Sequence, residues 1–233
     1  MTRRFRHADE VWQTFPSLSA GALVCDGIRV DADVDASVRE RTAVAARRAE
    51  HVPESELPEI RAWRRAYAQM GLKPTQYRCA AESLLRRIRT HGDLPRLHPL
   101  VDLCNAVSAA RAIPIAVLDV DRVDGDLTVR PASGAETYVT FSGDVEHPAA
   151  GEIVYADDAG SAHSRRWVTR QSGRSAVTPA TRRVLVVVEA VHDSAAIDVA
   201  ATLDELAERI GRTWRPAHHR MLTAVDPAID LDR

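Results

Sequence analysis

Residues 98–132 read HPLVDLCNAVSAARAIPIAVLDVDRVDGDLTVRPA, and this stretch decides the fold, because it predicts a helix, a turn and a β-hairpin in succession. At about 100° per residue, Leu100, Cys104 and Val107 share one helical face while His98, Asp102, Asn105 and Ala109 share the opposite one. One side packs and the other is free to recognise a ligand. Pro99 suits the first helical turn and Ile113-Pro114 ends the helix. Ile115–Leu118 and Leu127–Arg130 then read as strands around a turn at Asp124-Gly125. Asp102 and Asn105 are thereby expected beside a sheet.

Upstream, Leu18–Val30 reads as one or two short strands around Asp26-Gly27. Three helices follow. The first, Asp35–Glu50, is rich in Ala, Arg and Glu. The second, Glu59–Met70, carries Ile60, Trp63, Tyr67 and Met70 at helical spacing and stops at Gly71. The third is capped by Thr75, with Ala80, Leu84 and Ile88 on one face, and ends at His91-Gly92. The aromatic stripe of the second reads as core rather than a cofactor box. Downstream, short strands lead to Val184–Val191, a strand apolar on both faces. A closing amphipathic helix over 196–210 uses Ile197, Leu203, Leu206 and Ile210. With no repeat or low-complexity linker, the expectation is one mixed α+β domain over 1–233, in which 1–15 is a flexible N-terminal segment.

At 233 residues and 45% apolar, the chain suffices for one well-buried domain. It has neither a Walker-type phosphate loop nor a GxGxxG, so ATP-dependent activation chemistry is not expected and no cofactor is implied. Cys25, Cys79 and Cys104 are widely spaced with no CxxC, which points to a reducing compartment and to no metal site. No apolar run approaches membrane length and no signal-type segment follows the first residues, so the location read is cytoplasmic, without a membrane partner.

The net charge of −2 hides an asymmetry, for Lys73 is the only lysine. Arginine binds phosphate bidentately and stacks on bases, although a GC-rich coding sequence also favours it. From 161 to 183 there are six arginines, at 165, 166, 170, 174, 182 and 183, with Trp167 among them and no Asp or Glu. Of these, Arg165, Arg166, Arg170 and Arg174, with Trp167, are the candidate RNA contacts. Trp167 either stacks a terminal base, worth roughly 1 to 3 kcal/mol, or anchors the core from a strand whose Arg166, Val168 and Arg170 face outward.

An ordered set of residues resembles a known family, the editing (tRNA-binding, B-three/B-four) domain of the phenylalanyl-tRNA synthetase beta subunit. Val101, Asp102, Asn105, Pro114 and Leu118-Asp119 follow its pattern, which continues through Asp121, Arg122 and Gly125. Val129-Arg130, Ala132, Glu136-Thr137 and Gly143 resemble its second hairpin. Ser175, Val177, Thr181, Val184-Leu185 and Glu189 resemble its closing strand. The core of the resemblance runs over 95–192. It implies layered β-sheets flanked by helices, and as partners a tRNA or aminoacyl-tRNA with its amino-acid moiety as ligand. Two departures concern mechanism. Ala116 stands where the family has a histidine, and the family's loop glutamate has no counterpart in residues 167–174. Tyrosine as the edited residue is therefore not carried over.

The substrate-binding candidates are Asp102, Asn105, Ala116, Arg130, Gln171, Ser172 and Gly173. Asp102 and Asn105 either hold the substrate's ammonium group or a water, or make ordinary hydrogen bonds near a helix start. Arg130 either binds a terminal phosphate or pairs with Glu136. Gln171, Ser172 and Gly173 occupy the loop that the resemblance assigns to the amino acid. His98 before Pro99 suits helix capping, and His218-His219 read as surface residues. Ester hydrolysis needs only a positioned water with oxyanion support, so the absence of an obvious nucleophile is acceptable. The expected function is a free-standing aminoacyl-tRNA deacylase acting in trans, a hydrolase serving translation fidelity. Its rivals are a non-catalytic RNA- or amino-acid-binding module on the same scaffold and a small-molecule amidase or esterase.

Overall fold

The computed structural model describes residues 2–232, and the helix expected after His98 spans Pro99–Arg111. Its start is set by Pro99 and by His98, whose Nδ1 accepts the Leu100 N–H at 3.2 Å. Its end is set by Ala112 at φ 57° and by the Ser108 hydroxyl, which donates to the Ile113 carbonyl at 2.6 Å. The free polar face expected for this helix is absent. Leu100, Asp102, Leu103, Cys104 and every residue from Ala106 to Ala110 are buried, because other helices wrap both flanks. Only Pro99, Val101, Asn105 and Arg111 remain half-exposed.

In chain order the elements are β1 (Arg4–His7), α1 (Asp9–Thr14), β2 (Ser19–Asp26), α2 (Asp35–His51), α3 (Pro58–Gln69), α4 (Ala80–His91), α5 (Pro99–Arg111), β3 (Ile115–Asp119), β4 (Leu127–Pro131), β5 (Tyr138–Val139), β6 (Val145–Glu146), β7 (Ile153–Asp157), β8 (Ala162–Arg165), β9 (Arg170–Gln171), β10 (Arg183–Ala190), α6 (Ala195–Gly211), β11 (Arg215–Leu222) and β12 (Ala228–Asp230). The fold is α+β. A four-stranded sheet has the order β11-β2-β10-β3, a six-stranded sheet the order β12-β1-β4-β7-β8-β9, and β5 and β6 form a small ribbon.

β10 is buried along seven of its eight residues, as a central strand flanked on both edges must be. Strand alternation turns Ala116, Leu118, Leu185, Val187 and Glu189 to one face of the four-stranded sheet and Ile115, Val117, Val186 and Val188 to the other. On that second face α6 approaches so closely that a Cβ on Gly21 would lie 2.2 Å from Leu203 Cδ1.

Four expectations are corrected. β3 and β4 do not form a hairpin: β3 pairs with β10 and β4 with β1 and β7, so the 120–126 segment crosses from one sheet to the other. The Asp119 carboxylate directs that crossing by accepting the Asp121 N–H at 3.0 Å and the Thr181 hydroxyl at 2.6 Å. The segment 1–15, expected as flexible, contributes β1 and α1, with Phe5, Val11 and Phe15 buried, and the Arg3 guanidinium donates to the carbonyls of Val120 and Val123. α4 begins at Ala80 rather than at Thr75, because the chain first turns over 73–77. On α6, Ile197 is exposed and Val199 takes its expected place in the core.

All three cysteines are free and buried. Burial pushes the thiols of Cys25 and Cys79 up to about 12 and that of Cys104 higher still, so none is a ready nucleophile. Among the described residues no helix is long and apolar enough to cross a membrane.

Candidate functional site

β3 is the edge strand of its sheet, and a hollow lies on each side of it. Between the sheets is a cavity of about 60 Å³ whose wall includes Pro114, Ala116, Leu118, Tyr155, His163, Trp167 and Gln171. Towards α5 is a larger groove of about 300 Å³ whose lining includes His98, Asn105, Val117, Phe141, Gln171 and Val177. Ile115 and Gln171 border both. The Gln171 amide donates to the Val117 carbonyl at 2.6 Å, which holds the β9 end of the six-stranded sheet against the β3 edge.

The cavity wall carries titratable groups that sequence reasoning missed. His163 is fully buried and its Nε2 lies 3.0 Å from Asp157 Oδ2, while its Nδ1 has no partner among the described residues. Burial opposes ionisation of Asp157, yet the bonds from His163 and from the Ser161 and Asp124 N–H groups hold its carboxyl below the ordinary range. The β7–β8 hairpin makes this pair, since the turn at 157–161 brings the ends of both strands together. Deeper still, Glu189 accepts from the Trp167 indole at 2.8 Å, from His7 Nε2 at 2.6 Å and from the Tyr155 hydroxyl. Burial first and the Glu189 charge second keep Tyr155 well above its usual range, so it remains a donor. The legible signal was HSR after a turn, a histidine at an inward strand position.

The candidates named from sequence divide. Asn105 and Gln171 reach the groove, and Ala116 and Gln171 reach the cavity. Asp102 reaches neither: it is buried, accepts the Leu97 N–H at 2.8 Å and lies 3.7 Å from Arg96. Ser172 is fully buried, donates to the Val139 carbonyl at 2.8 Å and accepts the Arg174 N–H, so it builds the loop rather than lining a hollow. Gly173 is packed where a Cβ would lie 2.8 Å from the Thr140 carbonyl oxygen. Arg130 pairs with Glu136 at 2.6 Å, the second of the two readings given for it.

The candidate RNA contacts need the larger correction. Trp167 is fully buried, in a turn where Arg166 and Trp167 take φ of 49° and 57°, and it stacks edge-on with Trp63 and Phe15. It is a core anchor, but not on a strand, and no base can reach it. The stretch 161–183 holds no acid of its own, yet distant acids meet its arginines. Arg165 is buried against Glu146 and Glu152, Arg170 lies 3.4 Å from Glu146, Arg174 pairs with Asp124 and Arg183 with Asp26. Of the four arginines named as RNA contacts, Arg166 alone makes no ion pair among the described residues, its guanidinium lying 4.5 Å over the Tyr77 ring; Arg182 likewise makes none and donates to the Pro179 and Thr181 carbonyls. Among the described residues no three metal-binding side chains cluster.

Comparison with known proteins supplies the remaining findings. A family model described as "B3/4 domain" matches residues 62–230, which takes in both hollows and every candidate residue above. The phenylalanine–tRNA ligase beta subunit of Nitrobacter winogradskyi is 37% identical over 79 residues, 34% of this chain and 10% of that protein. The chain thus matches about a tenth of that relative's length. A crystal structure of an N-terminal fragment of the phenylalanyl-tRNA synthetase beta subunit from Pyrococcus horikoshii aligns with a TM-score of 0.48 at 10% identity, over 89% of this chain and 48% of that one.

Proposed function

Because the chain belongs to the B3/4 domain family, whose model matches residues 62–230, we propose that it binds the charged end of a tRNA and hydrolyses the ester of a wrongly attached amino acid in trans. The relative from Nitrobacter is by name a phenylalanine–tRNA ligase beta subunit, which supports a role near tRNA aminoacylation.

The observation that carries the chemistry is the buried His163–Asp157 pair in the wall of the cavity beside Ala116. With Nε2–H donated to Asp157, Nδ1 keeps a lone pair without a partner among the described residues; it is buried until substrate binding admits a water to it, and it then takes that water's proton. The water oxygen bonds to the ester carbonyl carbon, and the tetrahedral intermediate expels the ribose oxygen, which receives the proton back. A cavity of about 60 Å³ suits one or two waters rather than the substrate. The groove over Asn105, Phe141 and Val177 then receives the terminal nucleotide and its amino acid, and Gln171 stands between the two.

The decisive measurement is release of labelled amino acid from a panel of correctly and incorrectly charged tRNAs, with simple amino-acid esters in parallel. Selective release from one mischarged tRNA supports editing, and His163→Gln is expected to slow it at least about a hundredfold with tRNA affinity unchanged. Release from nothing on the panel removes the hydrolytic reading. A second reading, tRNA or amino-acid binding without chemistry, is favoured by Ala116, which leaves an inert methyl where the resemblance calls for a histidine. It predicts binding with no release.

A further inference from the structure

Away from both hollows, α3 and the start of α6 enclose a third one, of about 270 Å³, lined by Pro58, Arg61, Arg65, His192, Asp193 and Ser194. We propose that it is a phosphate-binding site.

Arg61 and Arg65 stand one helical turn apart and so share a face of α3. Most arginines of this chain are tied to carboxylates, but among the described residues neither of these two makes an ion pair, and both are exposed. Facing them, the 17-residue α6 presents its N-terminus, where the helix dipole favours an anion although the N–H groups of Ala195 and Ile197 are already bonded to the His192 and Ser194 carbonyls. An independent feature points to a ligand. His192 is 6% exposed and its Nδ1 is buried without a partner, whereas its Nε2 lies 2.9 Å from Asp198 Oδ2. Ser194 donates to the same carboxylate oxygen at 2.6 Å. These bonds, Ser194 first, hold Asp198 below the ordinary carboxylate range, so the anion behind His192 persists at neutral pH. With Nε2 turned to Asp198, the neighbouring Nδ1 is left without a partner, and a phosphate, which carries both bare and protonated oxygens near neutral pH, can satisfy that nitrogen as acceptor or as donor.

The donor set suits phosphate better than carboxylate. Two guanidinium forks on the α3 side and an imidazole nitrogen and a helix N-terminus on the other line one hollow, which suits the tetrahedral oxygens of a phosphate, whereas a carboxylate presents two coplanar oxygens and no hydroxyl. Asp193, exposed at the rim, is the one acid in the lining and tempers the affinity. The site involves no part of the editing reading, and it holds or fails without it.

Inorganic phosphate titrated into the whole protein, followed by NMR at the His192 imidazole, is the test, with chloride at matched ionic strength as the blank. Millimolar phosphate is expected to move the His192 signals. Arg61→Ala and Arg65→Ala should each weaken binding about tenfold, and an unchanged melting temperature confirms that these surface variants fold. A parallel arm identifies the source of the phosphate. If it is an RNA backbone, the double variant lowers the slope of log K against log salt for tRNA by about 1 to 2. If tRNA binding is indifferent, the ligand is free phosphate or a phosphate monoester. His192 signals that stay still at tens of millimolar phosphate, or a shift that survives loss of both arginines, overturn the site whatever the RNA arm gives.

Discussion

The Trp167 indole donates to Glu189 Oε1 at 2.8 Å, and both side chains are buried. That bond ties the 166–169 turn, which lines the cavity, to the central strand of the four-stranded sheet. Glu189→Ala would leave three buried donors, on Trp167, His7 and Tyr155, without their acceptor. The expected loss is on the order of 3 kcal/mol or more in chemical denaturation. Trp167→Phe removes one donor and should cost about 1 to 2 kcal/mol. Because no base reaches this ring, tRNA affinity should not change; a fall in affinity with the fold intact would return Trp167 to the RNA interface.

Glu136 governs part of the acid limb of stability. Burial opposes its ionisation, but the N–H groups of Ser133 and Gly134 and the Arg130 guanidinium hold its carboxyl down at about 2. A carboxyl whose folded value is depressed contributes stability that is fully present above its unfolded value of 4.5 and is lost as pH falls towards 2. The contribution is on the order of 3 kcal/mol. Glu136→Gln should therefore lower stability at pH 7 and flatten its dependence between about pH 4.5 and 2, read by urea denaturation at a series of pH values.

What was legible in the chain is what local periodicity and caps dictate. α5 starts at Pro99 because His98 and Pro99 are adjacent, and β10 is central because its apolar run leaves no polar face. What was illegible depends on residues that meet only in three dimensions. Asp124-Gly125 has the composition of a hairpin turn, but Thr181, far along the chain, holds Asp119 and sends the strand to another sheet. The basic run of 161–183 looked free to bind RNA because its partners, Glu146, Glu152, Asp124 and Asp26, all lie outside it. Positive φ at a tryptophan has no sequence signature at all, so the turn that buries Trp167 read as a strand. Of the site, the β3 edge, Asn105 and Gln171 were within reach of sequence. The His163–Asp157 pair was not sought, because a lone histidine is most often structural.

The loop at Gly173 depends on glycine for space rather than for its dihedral angles. A Cβ there would meet a backbone atom, the Thr140 carbonyl oxygen at 2.8 Å, which cannot swing aside as a side chain would. Gly173→Ala should cost about 1 to 3 kcal/mol. It should also loosen the groove, since Phe141, next to Thr140, lines it. A lowered melting temperature together with weaker amino-acid or tRNA binding is the expected pair of results, and an unchanged melting temperature would mean that the β5 end yields freely.

The two sides of β3 also predict a division of labour between Asn105 and Arg166. Asn105 is half-buried in the groove and carries an amide able to orient a bound ester by hydrogen bonding, without carrying charge. Asn105→Ala should lower turnover about tenfold and leave tRNA affinity nearly unchanged, because the interaction it removes acts on the reacting end. Arg166 lies across the strand, at 4.5 Å over Tyr77, with its charge uncompensated by an ion pair. Arg166→Glu exchanges that cation for an anion close to Glu152, which accepts the Arg166 N–H at 3.0 Å. It should weaken tRNA binding about tenfold and reduce the salt slope by about 1, while single-turnover release at saturating protein stays near the wild-type rate. If both variants changed binding and turnover in equal proportion, groove and cationic rim would be one surface, and the placement of the ester over Asn105 would have to be given up.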